Sequence, residues 1–222
     1  MLSRYIHPKE DTLTASVLGH LLHLPIEIFW ELLRESCDGH ALPEKCGEPL
    51  AIEPWPKWSA EGTSNTHYIE PDLFLRFESF DLIIEAKRWD YRMQNKQQWK
   101  NQLIAYQRDY GTEEQPVHYL ALGGLWTLEP QELSYGDCHT CFIYKARWQG
   151  ILSQCQRLLR QHKAHPFPSS QDHAHTRLLE DLIDLFAVHG FSTGRWYEDF
   201  QFHRNRPSFQ STLPTSNFTP NY

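Results

Sequence analysis

The chain has 222 residues, 40% of them hydrophobic and 14% aromatic, enough for one domain with a sizeable core and room for an added lobe. A net charge of −7 argues against a generic nucleic-acid coat protein, and no apolar run reaches membrane-spanning length. No basic-then-apolar leader opens the chain and its five cysteines are an odd number, so the expectation is a cytoplasmic protein with free thiols and no membrane partner.

Asp11 or Thr12 can cap a first helix running to about His23. Glu10 stands at its start, and Val17, Leu18, Leu21 and Leu22 form its apolar stripe. Pro25 fits the first turn of a second helix to about Glu35, with Phe29, Leu32 and Leu33 inward. Glu27, Glu31 and Glu35 lie along one face of that helix. Residues 37–65 are rich in proline and glycine and read as irregular. They leave room for a short strand near 50–53 and an extended cover at Trp55-Pro56-Lys57-Trp58.

From Glu70 to Lys87, two apolar-rich runs flank a polar break at Glu78-Ser79, the pattern of a β-hairpin. Alternation puts Asp72, Phe74 and Arg76 on one face of the first strand. In the second it puts Asp81, Ile83, Glu85 and Lys87 on one face and Leu82, Ile84 and Ala86 on the other. A two- or four-residue loop pairs Phe77 with Phe80, Arg76 with Asp81, Asp72 with Glu85 and Glu70 with Lys87. A three-residue loop would move Asp72 to the opposite face. Leu82-Ile83-Ile84 is apolar on both faces, so the second strand is expected at the centre of a sheet. Charged residues at the end of such a strand mark a site.

Two carboxylates about 5 Å apart repel by roughly 3 kcal/mol at an effective dielectric of about 20. Like charges directly opposite each other weaken a sheet. A divalent cation between Asp72 and Glu85, with Lys87 beside them, would offset the repulsion and make a hard-metal phosphodiesterase site. The plainer alternative is a salt-bridged hairpin face, with Lys87 bridging Glu70 or Glu85.

Trp99, Leu103 and Tyr106 predict a helix over 94–108, with Gln98 and Gln102 flanking the stripe. Strands are expected over 117–122, broken by Gly123-Gly124, and over 141–146. A helix to about Lys163, a linker over 165–170 and an amphipathic helix over 175–189 ended by Gly190 follow. After about residue 203 no period remains, so 203–222 reads as a tail ordered only by docking.

Basic residues gather twice: Lys87, Arg88, Arg92, Lys96, Lys100 and Arg108 against one acid, Asp90, then Lys145, Arg147, Arg157, Arg160 and Lys163 with none. Such segments in an acidic chain suit a cleft that attracts phosphates, although either alone also fits a solvated helix face. Trp89, Tyr91 and Trp99 interleave the first cluster and can stack on bases, but such aromatics are more often core. Cys138-His139-Thr140-Cys141 is a lone CxxC. Cys37 and Cys46 do not supply a second, so loop thiols are favoured over zinc.

Pro71-Asp72, twelve intervening residues and Glu85-Ala86-Lys87 resemble the signature of the PD-(D/E)XK nuclease superfamily. Gln102-Leu103-Ile104-Ala105-Tyr106 is similar to the helix motif that trails the lysine in many members, and the likeness covers about residues 5–125. It implies an α/β, restriction-endonuclease-like core, a mixed sheet with a central β-hairpin flanked by helices. Residues 1–125 would form the nuclease core with its N-terminal helices, and 126–202 would complete the same domain. It also implies that Asp72, Glu85 and the Ala86 carbonyl ligate Mg2+ or Mn2+. Lys87 would orient the attacking water and Gln102 would position water or substrate. An added acid would come from Glu10, ahead of Glu31. Arg88, Arg92, Lys96 and Lys100 would bind nucleic acid, DNA before RNA.

The implied activity is that of a metal-dependent endonuclease, in bacterial defence or mobile-element biology. Two rivals stand beside it. One is a catalytically inactive nucleic-acid-binding module of the same fold, against which the intact Asp72, Glu85 and Lys87 set argues. The other is a structural subunit whose C-terminal region, 126–222, docks a protein partner.

Overall fold

The computed structural model describes residues 10–191 apart from 38, 40, 41, 90–92, 113 and 114. Tyr91, Arg92, the expected tail over 203–222 and the side chain of Glu10 therefore lie outside the described residues. In chain order the elements are α1 (Glu10–Leu21), α2 (Ile26–Ser36), β1 (Pro49–Pro54), β2 (Trp58–Ser59), β3 (Tyr68–Ile69), β4 (Leu73–Phe77) and β5 (Asp81–Ala86). Then come α3 (Lys96–Asp109), β6 (Val117–Leu122), β7 (Gln131–Tyr135), β8 (His139–Ala146), α4 (Trp148–Ala164) and α5 (Ser170–Val188).

β4 and β5 form the expected hairpin, antiparallel with Leu73 opposite Ile84, Phe74 opposite Ile83 and Arg76 opposite Asp81. Phe77 N donates to Phe80 O at 2.9 Å across the turn. Every residue of β5 is buried, because β6 pairs with its other edge in parallel and helices cover both faces. The continuous apolar run Leu82-Ile83-Ile84 is what such a strand requires. The full sheet is mixed, with six strands in the order β1-β4-β5-β6-β8-β7, while β2 and β3 pair separately. The prolines at both ends of β1 suit its place at an edge, where a missing N–H costs no ladder bond.

Alternation along the strands divides the core in two. Leu73, Leu75, Leu82, Ile84, Leu120 and Leu122 pack with apolar residues of α1, α2, α4 and α5. Phe74, Ile83, Tyr119 and Ile143 face the other way, onto Trp99, Leu103 and Tyr106 of α3 and onto Trp58. The residues expected to carry chemistry, Asp72, Glu85 and Lys87, have the parity of this second, α3-covered face.

Three expectations are corrected. β7 was not anticipated, because Gln131, Glu132 and Ser134 dilute its apolar content. It pairs antiparallel with β8 and buries only Leu133 and Tyr135. The last helix begins at Ser170 and not near 175, because Ser169 forms a capping box with Asp172: Asp172 N donates to Ser169 Oγ at 3.1 Å and Ser169 N donates to Asp172 Oδ2 at 2.7 Å. Those first turns are exposed and carry no apolar stripe, so periodicity could not reveal them. Cys141 is a buried residue of β8 and not a loop thiol; the five cysteines are all free, as expected. Among the described residues no helix is long and apolar enough to cross a membrane.

Candidate functional site

Glu85 stands near the end of the most enclosed strand, with only 2% of its surface exposed. A buried carboxylate needs compensating donors, and described residues of the chain supply them. Lys87 Nζ lies 2.6 Å from Oε1, Gln98 Nε2 donates to Oε1 at 2.7 Å, and Gln102 Nε2 donates to Oε2 at 2.6 Å. Lys87 is two residues on from Glu85, just past the end of β5, while Gln98 and Gln102 are one helical turn apart on α3. Tyr119 of β6 fixes the Gln102 amide: its hydroxyl donates to Gln102 Oε1, which leaves the amide nitrogen directed at Glu85.

Asp72 precedes β4 by one residue, one step beyond the last β4–β5 pair, Leu73 with Ile84, where continued alternation leads to Glu85. Ala86 N donates to its Oδ2 at 2.7 Å, and Trp55 Nε1 donates to Oδ1 at 3.3 Å. Trp55 N also donates to the Asp72 carbonyl at 3.2 Å, so the turn after β1 holds Asp72 by backbone and side chain. The Asp72 carboxyl is pushed up to about 7, first by burial and then by the charge of Glu85. The Ala86 N–H, Lys87 and Trp55 pull it partly back.

The lysine is positioned from behind by Gly123-Gly124. Lys87 N donates to Leu122 O at 2.8 Å and Trp148 Nε1 donates to Lys87 O at 2.8 Å. Gly123 and Gly124 have φ of +69° and +67°. A Cβ at Gly123 would lie 2.2 Å from Lys87 O, and one at Gly124 would lie 2.8 Å from Lys87 Cβ. Only glycine allows this backbone to pass so close. The Gly124 carbonyl then accepts from Met93 N at 3.0 Å and Gln94 N at 3.1 Å. Gln94 Nε2 donates to the carbonyl oxygens of Glu85 at 3.0 Å and Leu122 at 3.3 Å, tying the approach to α3 onto the ends of β5 and β6.

Of the residues singled out in the sequence, Asp72, Glu85, Ala86, Lys87 and Gln102 come together here. Glu70 does not meet Lys87. It lies 4.0 Å from Lys57, and Lys87 turns to Glu85 because they share a face of β5. Glu31 is held by Arg157 of α4 at 2.8 Å. Glu10 opens α1; Thr14, one turn later, lines a cavity of about 100 Å3 together with Trp55 and Asp72. Arg88 lies over the Trp89 ring at 4.5 Å, and its charge reaches His189 at the end of α5. Lys96 is exposed at the start of α3 and Lys100 is half-buried further along it. Trp99 is core, whereas Trp89 is exposed.

The site also uses residues that sequence reasoning had not placed: Trp55, Gln94 and Tyr119. Tyr119 looked like one more apolar strand residue, and nothing in its own pattern shows that its hydroxyl is spoken for. Gln94, Gln98 and Gln102 recur every fourth residue, which is a usable signal.

Asp72, Glu85 and the Ala86 peptide offer oxygen donors alone, which suits a hard cation such as Mg2+ or Mn2+. Partial loss of charge at Asp72 is a strain that a cation would relieve. Among the described residues no three His, Cys, Asp or Glu side chains cluster closely enough to hold a metal unaided.

No family model matches the chain, and no solved structure matches it. A stretch of 118 residues is 34% identical to an uncharacterized protein, PM0110, of Pasteurella multocida (strain Pm70). That stretch is 52% of this chain and 43% of the other, so the chain spans under half the length of the curated relative it matches.

Proposed function

We propose that the chain is a metal-dependent nuclease of restriction-endonuclease-like fold, hydrolysing phosphodiester bonds in nucleic acid, DNA before RNA. The observation that carries this reading is Asp72 held by the Ala86 N–H at 2.7 Å, close enough to Glu85 for its charge to bear on it, at the end of a buried central strand, with Lys87 against Glu85. A folded protein gains nothing in stability from two facing carboxylates, so the arrangement points to a ligand.

In this reading Asp72, Glu85 and the Ala86 carbonyl hold Mg2+ or Mn2+, which would supply Lewis acidity and a more acidic water. Lys87 orients the attacking water and stabilises the charge that grows on the phosphoryl oxygens. Gln102, locked by Tyr119, holds Glu85 in place and excludes the rotamer that would turn it away from Asp72. Gln98 does the same for the other oxygen of Glu85.

The test is incubation of the purified protein with plasmid and single-stranded DNA in Mg2+, Mn2+ or EDTA. Wild type should cut in either metal and not in EDTA. Lys87→Ala should lower the single-turnover rate by about 100-fold or more, the usual scale for loss of a transition-state contact. Equal rates for Lys87→Ala and wild type would remove Lys87 from the site.

A further inference from the structure

We propose that Lys145 is a second cation of this site and holds a backbone phosphate next to the one presented to Asp72 and Glu85, a reading that rests on the nuclease assignment. The registers place it. Glu85 pairs with Ala121 across β5 and β6, and Ala121 pairs with Lys145 across β6 and β8. The three form one row across the sheet, with the backbones of Lys145 and Glu85 two strand spacings, about 10 Å, apart. Ile83, Tyr119 and Ile143 make the row before it on the same α3-covered face, so Lys145 shares the face of Glu85. The residue between them, Ala121, carries only a methyl group. The row lies at the carboxyl ends of the parallel strands, where open α/β sheets bind their ligands.

The surroundings of Lys145 call for an anion. Only 6% of its surface is exposed, yet among the described residues its ammonium has no ion pair. Among the described residues its hydrogen bond is to Gln131 Oε1 at 3.3 Å. Lysine is almost never buried in this way without a partner. The Nε2 of Gln131 is itself buried with no acceptor. Lys96, at the start of α3, adds a second positive charge, and the nearby acid is Glu129. Burial first and Lys96 second lower the Lys145 pKa, and a bound phosphate would reverse both effects. Two other basic residues of this segment are used elsewhere: Arg157 pairs with Glu31 at 2.8 Å and Lys163 with Glu180 at 2.6 Å.

The test compares wild type, K145Q and K145R on a labelled oligonucleotide, by fluorescence anisotropy in Ca2+ and by single-turnover cleavage in Mg2+. K145Q should weaken binding by about tenfold and lower the slope of log affinity against log salt by about one, as expected for one lost phosphate contact. Half-saturation should rise while the maximal rate stays within about threefold, and K145R should restore most of the binding. A scan of single neutral methylphosphonates should find one position that weakens wild type to the same extent and K145Q no further. A merely structural Lys145 would lower stability without this matching. Should K145Q fold poorly, K145R and the wild-type scan decide, and a scan with no sensitive position overturns the inference. If K145Q binds like wild type while Asp72→Asn abolishes cleavage, the Lys145 inference falls and the nuclease reading stands. If wild type neither binds nor cuts, both fall.

Discussion

Asp72→Asn should make the metal-free protein more stable at pH 8 and leave it nearly unchanged at pH 5. The carboxyl titrates at about 7 in the folded protein against 3.8 without the fold, so folding disfavours its charged form. A group with a raised folded pKa contributes stability that is fully present below the unfolded value and is lost as pH rises through the folded one. Wild type therefore loses stability at this site between about pH 4 and 8. The facing charges amount to about 3 kcal/mol at 5 Å with an effective dielectric of about 20. Asparagine keeps an oxygen for Ala86 N but turns its amide towards Trp55 Nε1, forfeiting a contact worth about 1 kcal/mol. The net gain at pH 8 is about 2 kcal/mol, or about 4–8 °C in Tm for a domain of this size. At pH 5 Asp72 is protonated in the folded protein but ionised in the unfolded chain, so about a third of that cost has developed and it roughly offsets the lost contact. Urea unfolding and thermal melts of both proteins in EDTA at pH 5 and 8 measure the difference, and other titrating groups cancel in the comparison. Mg2+ or Mn2+ at about 100 times Kd should stabilise wild type by about 2.7 kcal/mol and the variant far less. If the substitution destabilises the protein at pH 8, and metal leaves the wild-type melt unmoved, the paired-carboxylate argument is refuted.

Gly123→Ala should destabilise the fold by more than about 1 kcal/mol and slow cleavage, because its Cβ would strike Lys87 O from a backbone at φ +69°. Alanine at Gly19, where nothing lies within 4 Å, is the control in the same denaturation assay. Tyr119→Phe removes the hydroxyl that orients Gln102. Cleavage should fall by about tenfold in maximal rate with half-saturation nearly unchanged, whereas a pure packing role would leave the rate alone. Neutralising Lys96 and Lys100 together should flatten the salt dependence of DNA binding; an unchanged slope returns them to a solvated helix face.

The hairpin was readable because its physics is local. A two-residue polar break sets the register, and period-two alternation then places Asp72 and Glu85 on one face without knowledge of the rest of the sheet. Leu82-Ile83-Ile84 also disclosed that the strand is central. The partners that complete the site are non-local. Trp55 reaches Asp72 from the turn after β1, and Tyr119 reaches Gln102 because β6 docks in parallel beside β5. Lys145 needed two successive parallel registers, β5 with β6 and β6 with β8, before its place in the row could be seen. In sequence it was one member of a basic run in which Arg157 and Lys163 pair on the helical side. Glu70 shows the limit of extrapolating a ladder: the pairing with Lys87 would require strand beyond β4, and the chain leaves the sheet before it.

Asp81 and Glu85 provide an internal comparison. Both lie on β5, both face α3, and both are buried, at 0% and 2% exposure. Asp81 meets Arg76 at 3.3 Å on the paired strand and accepts from Tyr106 at 3.0 Å, so its charge is balanced by a cation directly across the ladder. Glu85 has the charge of Asp72 near it, one step beyond the last β4–β5 pair, and among the described residues it accepts from Lys87, Gln98 and Gln102. Burial of a carboxylate therefore does not distinguish the two ends of this strand, because each is satisfied. The difference is the sign of the charge across the ladder. An aspartate opposite a glutamate costs stability where an arginine would add to it. Exchanging the two environments tests that logic: Asp72→Arg would turn the Glu85 end into a copy of the Asp81 end. The variant should fold with stability equal to wild type or higher in EDTA, bind no divalent cation, and cut no DNA. A variant that still gains thermal stability from Mg2+ or Mn2+ would show that Asp72 is not what draws the metal to this end of the sheet.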